Sequence, residues 1–153
     1  MELVDIIGAD NIHADLRVSS KKKLLLELAN IGAGLTGLDC DDVFEALNSR
    51  EQLGSTGVGH GVAIPHARFD GLEGIHGAFV RLASPVSFDS VDDQPVDLIF
   101  LLLAGDSSGA SHLKTLARVS RLLRGERTRA AMRGANNSDA LYSLIASPEA
   151  DAA

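Results

Sequence analysis

From Asn11 to Val18 apolar and polar residues alternate, with Ile12, Ala14, Leu16 and Val18 on one side, which predicts a first strand. Ser19 and Ser20 follow, and their hydroxyl oxygens suit the start of a helix at Lys21. That helix turns Leu24, Leu25 and Leu28 inward as far as about Ile31, where Gly32–Leu38 is expected to break it. Asp39 predicts a second cap. Asp42 falls at the third helical position, where a carboxylate complements the positive end of the helix dipole. Val43, Phe44 and Leu47 form the apolar face of this second helix, which should end near Gln52, ahead of Gly54.

A glycine-rich loop comes next, then a short strand over Gly61–Ile64, then Pro65. Phe79–Ala83 reads as a strand after the breakers Gly71, Gly74 and Gly77. Pro85–Gln94 is rich in Asp and Ser and reads as a loop. Val96–Ala104, VDLIFLLLA, is apolar apart from Asp97, β-rich at its start and short enough to be a strand buried on both faces. Gly105–Ala110 reads as a turn, and His112–Arg124 has Leu113, Leu116, Ala117 and Leu123 at helical spacing. Two short helices follow at about Glu126–Met132 and Asp139–Ala146, the second capped by Ser138, and the C-terminal SPEADAA is expected to fray. Strands and helices interleave, so the expected class is α/β: a mixed β-sheet flanked by helices, in a single domain.

Composition narrows what such a domain can do. With 153 residues, 45% hydrophobic and 4% aromatic, the core must be built from aliphatic side chains. A formal charge of −7 makes the chain a poor general binder of nucleic acid or of anionic membranes. The charge is unevenly spread, because Lys114–Arg133 contains seven basic residues and one acid, Glu126. A solvated helix face or a surface for an acidic partner would each account for it. Cys40 is the only cysteine, so no internal disulfide forms, which fits a reducing compartment. The N-terminus lacks the features of a signal peptide and no apolar run reaches the length of a membrane span, so a cytoplasmic location is expected.

Gly32-Ala33-Gly34-Leu35-Thr36-Gly37 spells the dinucleotide-binding pattern, but it follows a helix where that device needs a strand before it. Helix termination is the better reading. The segment GVGHGVAIPHAR, Gly57–Arg68, holds the chemistry-bearing residues. No lysine and serine follow its glycines, so it is no P-loop. His60 and His66 would need His112 or His76 from a distance to hold a metal, and no acid or cysteine stands beside them. Cys40 reads as a plain buried residue and no serine elbow is present. A nucleophilic histidine is the further reading, one that spacing does not distinguish from an ordinary surface histidine in a loop: a neutral imidazole nitrogen can attack phosphorus and carry the phosphoryl group. Such a site needs an oriented ring and donors around the phosphoryl oxygens. Pro65 restricts the backbone before His66. Backbone N–H groups at Gly57, Gly59, His60 and Gly61 could face phosphate. Arg50 or Arg68 could pair with the dianion, and His112 could assist.

On these residues the chain resembles a known family. LGSTGVGHGVAIPH, Leu53–His66, is similar to the signature of enzyme IIA domains of the fructose–mannitol class in the bacterial phosphoenolpyruvate-dependent phosphotransferase system, most of all the nitrogen-regulatory branch. FEALNSREQLG, PVSFDSVDDQPV and SHLKTLARVSRLL extend the likeness over residues 1–146, leaving 147–153 as a tail. The resemblance implies that His66 is phosphorylated by a histidine-containing phosphocarrier protein, that His112 is a second active-site histidine, and that Arg50 supports the phosphohistidine. It implies no cofactor, and regulated partners such as potassium transporters or sensor kinases. A sugar-specific enzyme IIA that passes phosphate to an enzyme IIB is the near alternative. Relatives often carry Asn or another polar residue at position 60, so His60 is expected to neighbour the site without catalysing. His13 and His76 match nothing functional.

Overall fold

The computed structural model describes residues 2–146; the expected fraying of the C-terminal tail lies outside them. Six strands form one mixed sheet: β1 Ile12–Leu16, β2 Gly57–Gly59, β3 Val62–Ala63, β4 His66–Phe69, β5 Ile75–Val86 and β6 Val96–Gly105. The spatial order is β1-β5-β6-β3-β2, and β4 also pairs with β6. Strand β5 runs antiparallel to β6, while β1 runs parallel to β5 and both β3 and β4 run parallel to β6. Strands β3 and β4 lie in line along β6, at Leu98–Ile99 and at Leu102–Gly105, with Pro65 between them. The Pro65 carbonyl accepts a hydrogen bond from the Leu102 N–H, so the proline interrupts the edge without detaching it.

Strand β6 alternates between two cores, as a strand covered on both faces must. Ile99, Leu101 and Leu103 pack under α1 Lys21–Thr36 and α2 Cys40–Leu53 with Leu24, Leu28, Val43 and Leu47. Leu98, Phe100 and Leu102 pack on the other face under α3 Gly109–Arg124, α4 Glu126–Gly134 and α5 Ser138–Ala146 with Val119, Leu122, Met132 and Leu141. The result is helices on both sides of a mixed sheet, as the interleaved pattern predicts.

Several local expectations change. Strand β1 stops at Leu16, and Asp15 takes a left-handed φ of 60° at a register shift between His13 and Leu16. The slip sends Ile12 and Ala14 to the α3–α5 core but Leu16 and Val18 to the α1–α2 core, so the alternating residues do not share one side. Helix α1 does not break at Gly32; it runs to Thr36 and ends at left-handed Gly37. Gly32 lies where the helix meets the sheet, and a Cβ there would come 2.7 Å from Leu103 Cδ1, so the glycine serves close approach. Strand β5 is longer than expected and takes Gly77 and Pro85 inside it, next to an irregular register between Arg81 and Val86. The turn after Gly105 is one 3-10 turn, Asp106–Ser108, before α3 opens at Gly109. Asn137, rather than Ser138, caps α5 by accepting from the Ala140 N–H at 2.9 Å. The caps at Ser20 and Asp39 are formed as expected.

Candidate functional site

His66 opens β4, an edge strand that the sequence pattern does not reveal because its four residues, HARF, mix polar and apolar types. The end of α2 approaches this edge from one face of the sheet and the start of α3 from the other. Between them is an open cleft of about 500 Å³ lined by Arg50, Leu53, His66, Arg68, His112 and Leu113 among others. The fold thus brings His66, His112 and Arg50 together from three separate stretches of chain.

The His66 ring is half-buried, and its Nδ1 lies 2.8 Å from the Ile64 carbonyl oxygen. A carbonyl only accepts, so Nδ1 carries the hydrogen and Nε2 of the neutral ring keeps its lone pair. The His112 ring stands 5.6 Å away between centroids, tilted by 53°. His112 is 4% exposed, and its Nδ1 is buried with no hydrogen-bond partner among the described residues. Arg50 is aimed by one bond, from Nη1 to the Gly54 carbonyl at 2.9 Å, where α2 ends. Arg68, two residues beyond His66, lines the same cleft.

Burial holds the His66 pKa below its usual value, and the Arg50 charge pushes the same way; the Ile64 hydrogen bond and Glu51 oppose them. Burial also lowers His112, with contributions from His66 and Arg68. Both rings are therefore neutral at neutral pH. In an NMR titration His66 is expected to titrate below 6.5, its ordinary value, and Arg50→Ala to raise its midpoint. A wild-type midpoint at or above 6.5 would contradict this reading. The linkage has a definite sign: below 6.5 the unfolded chain binds protons that the folded one refuses, so stability falls as pH drops from 6.5 toward the lowered values.

Glu51, Thr56 and Lys21 are supporting residues that the sequence reading missed. Glu51 is 8% exposed and accepts from the Thr56 N–H at 3.1 Å, from the Thr56 hydroxyl, and from Lys21 Nζ at 3.1 Å. This ties the last turn of α2, and so Arg50, to the strand edge. A signal was present: Val43, Leu47 and Glu51 recur every four residues, and an acid on a buried stripe needs partners.

The glycine segment is elsewhere. Gly57–Gly59 is a strand, and His60-Gly61 forms the tight turn to β3 with φ of 59° and 79°, both in the left-handed region that such a turn requires. The His60 N–H is bound to Asp92 Oδ2 at 3.0 Å and its carbonyl accepts from Arg133 Nη2 at 2.7 Å. The N–H groups of His60 and Gln94 hold the Asp92 carboxyl below its usual range. None of Gly57, Gly59, His60 and Gly61 lines the His66 cleft; His60 and Gly61 line a separate pocket of about 300 Å³ with Asp97 and Arg133. The segment expected to face phosphate forms a hairpin apart from the His66 cleft, with the His60 N–H bound to Asp92 and the His60 carbonyl to Arg133. Among the described residues no three His, Cys, Asp or Glu side chains come together in a way that could hold a metal ion. Cys40 Sγ donates to Asn30 Oδ1 at 3.0 Å. Of the described residues, no helix is long and apolar enough to cross a membrane.

The chain belongs to the family described as phosphoenolpyruvate-dependent sugar phosphotransferase system, EIIA 2, which matches residues 5–147. It is thus a component of the phosphotransferase system. Within that family it is 49% identical to the nitrogen regulatory protein of Bradyrhizobium diazoefficiens, over the full length of both chains. The crystal structure of the nitrogen regulatory protein IIA-Ntr from Neisseria meningitidis superposes with a TM-score of 0.89 at 35% identity, covering 94% of this chain and 98% of that one. The mannitol IIA of Escherichia coli shares the fold, with a TM-score of 0.74 at 18% identity over 90% of this chain and 97% of that one. These likenesses support a phosphocarrier and regulatory role within the system and leave the sugar-specific alternative less favoured.

Proposed function

We propose that His66 accepts a phosphoryl group on Nε2 from a histidine-containing phosphocarrier protein, and that its phosphorylation state selects which proteins the chain binds. The observation that carries this is the Nδ1–H···O=C bond to Ile64, which leaves Nε2 as the only lone pair of a neutral, oriented ring. In the transfer, that lone pair forms the new P–N bond while the donor's P–N bond breaks. The donor ring, protonated on its second nitrogen, leaves as neutral imidazole. His66 takes over the imidazolium charge, with Nδ1–H still on the Ile64 carbonyl, so no proton has to cross the site. Arg50 supplies fixed positive charge beside the phosphoryl oxygens. His112, with a buried and unpartnered Nδ1, is the second histidine of the site and gains protons more readily once a dianion stands beside it.

Phosphorylation adds up to about two negative charges at one point of the surface. A protein that packs against neutral His66 then meets a solvated dianion instead. The cytoplasm is the compartment this role requires, and potassium transporters and sensor kinases are the regulated partners that the resemblance implies.

Incubation with phosphoenolpyruvate, the first enzyme of the system and a phosphocarrier protein is expected to leave one acid-labile, base-stable phosphate per chain. No label, or an acid-stable one, would end the proposal. Onward passage of that phosphate to a sugar-specific enzyme IIB would mark the sugar-specific role instead.

A further inference from the structure

Helices α3 and α4 carry a feature that phosphohistidine chemistry leaves unused. Lys114–Arg133 holds seven of the chain's fourteen basic side chains and one of its twenty-one acids. Two of the seven are committed to the fold: Arg129 donates to the Leu123 carbonyl at 2.9 Å, and Arg133 pairs with Asp97 at 2.9 Å. Arg118 lies 3.6 Å from Glu2 in a water-exposed pair. Lys114, Arg121, Arg124 and Arg127 are exposed and make no ion pair among the described residues.

These charges are ordered. Leu113, Ala117, Arg121 and Arg124 recur at four, four and three residues, which puts them on one exposed stripe of α3. At 1.5 Å of rise per residue the stripe is about 16 Å long. It begins in the His66 cleft, because Leu113 lines that cleft and is 67% exposed; across the cleft Leu53 is 85% exposed. Two large apolar side chains open to water beside a reactive ring, with a basic track leading away, make one continuous surface.

Resting on the assignment of His66 as phosphoryl acceptor, we infer that this surface docks an acidic face of the phosphoryl-donor protein, with Leu53 and Leu113 at its apolar centre and Arg121 and Arg124 as its charge-reading end. Charge complementarity selects a protein over a polyanion. Outside the segment the chain carries twenty acids against seven bases, so an extended nucleic acid or anionic membrane would meet repulsion beyond the stripe, whereas a folded partner with a local acidic patch would not. The transfer also favours release. The donor arrives with the phosphoryl charge added to its own acids and leaves without it, while the docking surface acquires that charge on His66. Attraction is greatest before transfer and weakest after it.

The test is the double variant Arg121→Glu/Arg124→Glu, two turns or more beyond His112. At low ionic strength, phosphoryl transfer from the phosphocarrier protein is expected to be at least about tenfold slower than in wild type, with a weaker salt dependence. Arg121→Gln/Arg124→Gln should fall between. Labelling by phosphoramidate, a small donor without a protein surface, should be unchanged, and the final stoichiometry should remain one per chain. An unchanged carrier rate, an equal loss with both donors, or a loss of binding to duplex DNA or anionic vesicles with carrier transfer intact would each overturn the docking proposal. Absence of label on wild-type His66 from either donor would instead overturn the His66 assignment itself.

Discussion

His66→Ala is expected to take up no base-stable phosphate from the phosphocarrier protein, a complete loss where the wild type takes up one per chain. The alanine variant lacks the Nε2 lone pair, and no other histidine of the cleft replaces it: His112 is buried, and the turn of His60 belongs to a different pocket. The fold should survive, because His66 is only half-buried on an edge strand, and the melting transition should stay within about 1 kcal/mol of wild type. Arg50→Ala should slow transfer by roughly a hundredfold, the typical effect of removing one charge-stabilising group, and leave the label on His66. Full labelling of His66→Ala would place the nucleophile elsewhere.

Gly105→Ala should be the most damaging single-methyl change for stability. Gly105 ends β6 opposite Phe69, and its N–H donates to the Gly74 carbonyl at 3.0 Å. A Cβ at this position would stand 1.8 Å from the Leu72 carbonyl oxygen and 2.9 Å from its carbon. These are backbone atoms, which cannot swing aside as the end of a leucine does, so the turn before β5 or the end of β6 must move. A loss of about 3 kcal/mol is expected. For a chain of this size that lowers the melting temperature by about 6–12 °C. Because β6 leads through one 3-10 turn into α3, the displacement should reach His112, and transfer should slow with it. A variant melting within about 2 °C of wild type would show that Leu72 yields easily.

How much of this could be read from the chain depended on whether the signal was local. The α1 and α2 starts were legible because Ser20 and Asp39 cap within three residues of themselves. Strand β6 was legible because the apolar run Leu98–Ala104 is too short for a buried helix and long enough for a strand covered on both faces. The end of α1 was misplaced because Gly32 looks like a breaker until Leu103 of the sheet stands 2.7 Å from its would-be Cβ. Glycine spacing alone does not tell a backbone open to a ligand from one bound internally, as the His60 backbone is by Asp92 and Arg133.

By itself the sequence determined the α/β class, the apolar central strand and the caps at Ser20 and Asp39, and through the family resemblance it pointed to His66, His112 and Arg50. Only the tertiary structure decided how these residues are placed. The pairing of His66 with the Ile64 carbonyl, which frees Nε2, depends on the interruption that Pro65 makes between β3 and β4 along the edge of β6. The meeting of the two rings at 5.6 Å depends on α2 and α3 closing on that edge from opposite faces of the sheet. Hydrophobic periodicity records which side of an element is buried, but carries no information about which distant element will cover it. Residues forty-six positions apart become a site only when the sheet order is set.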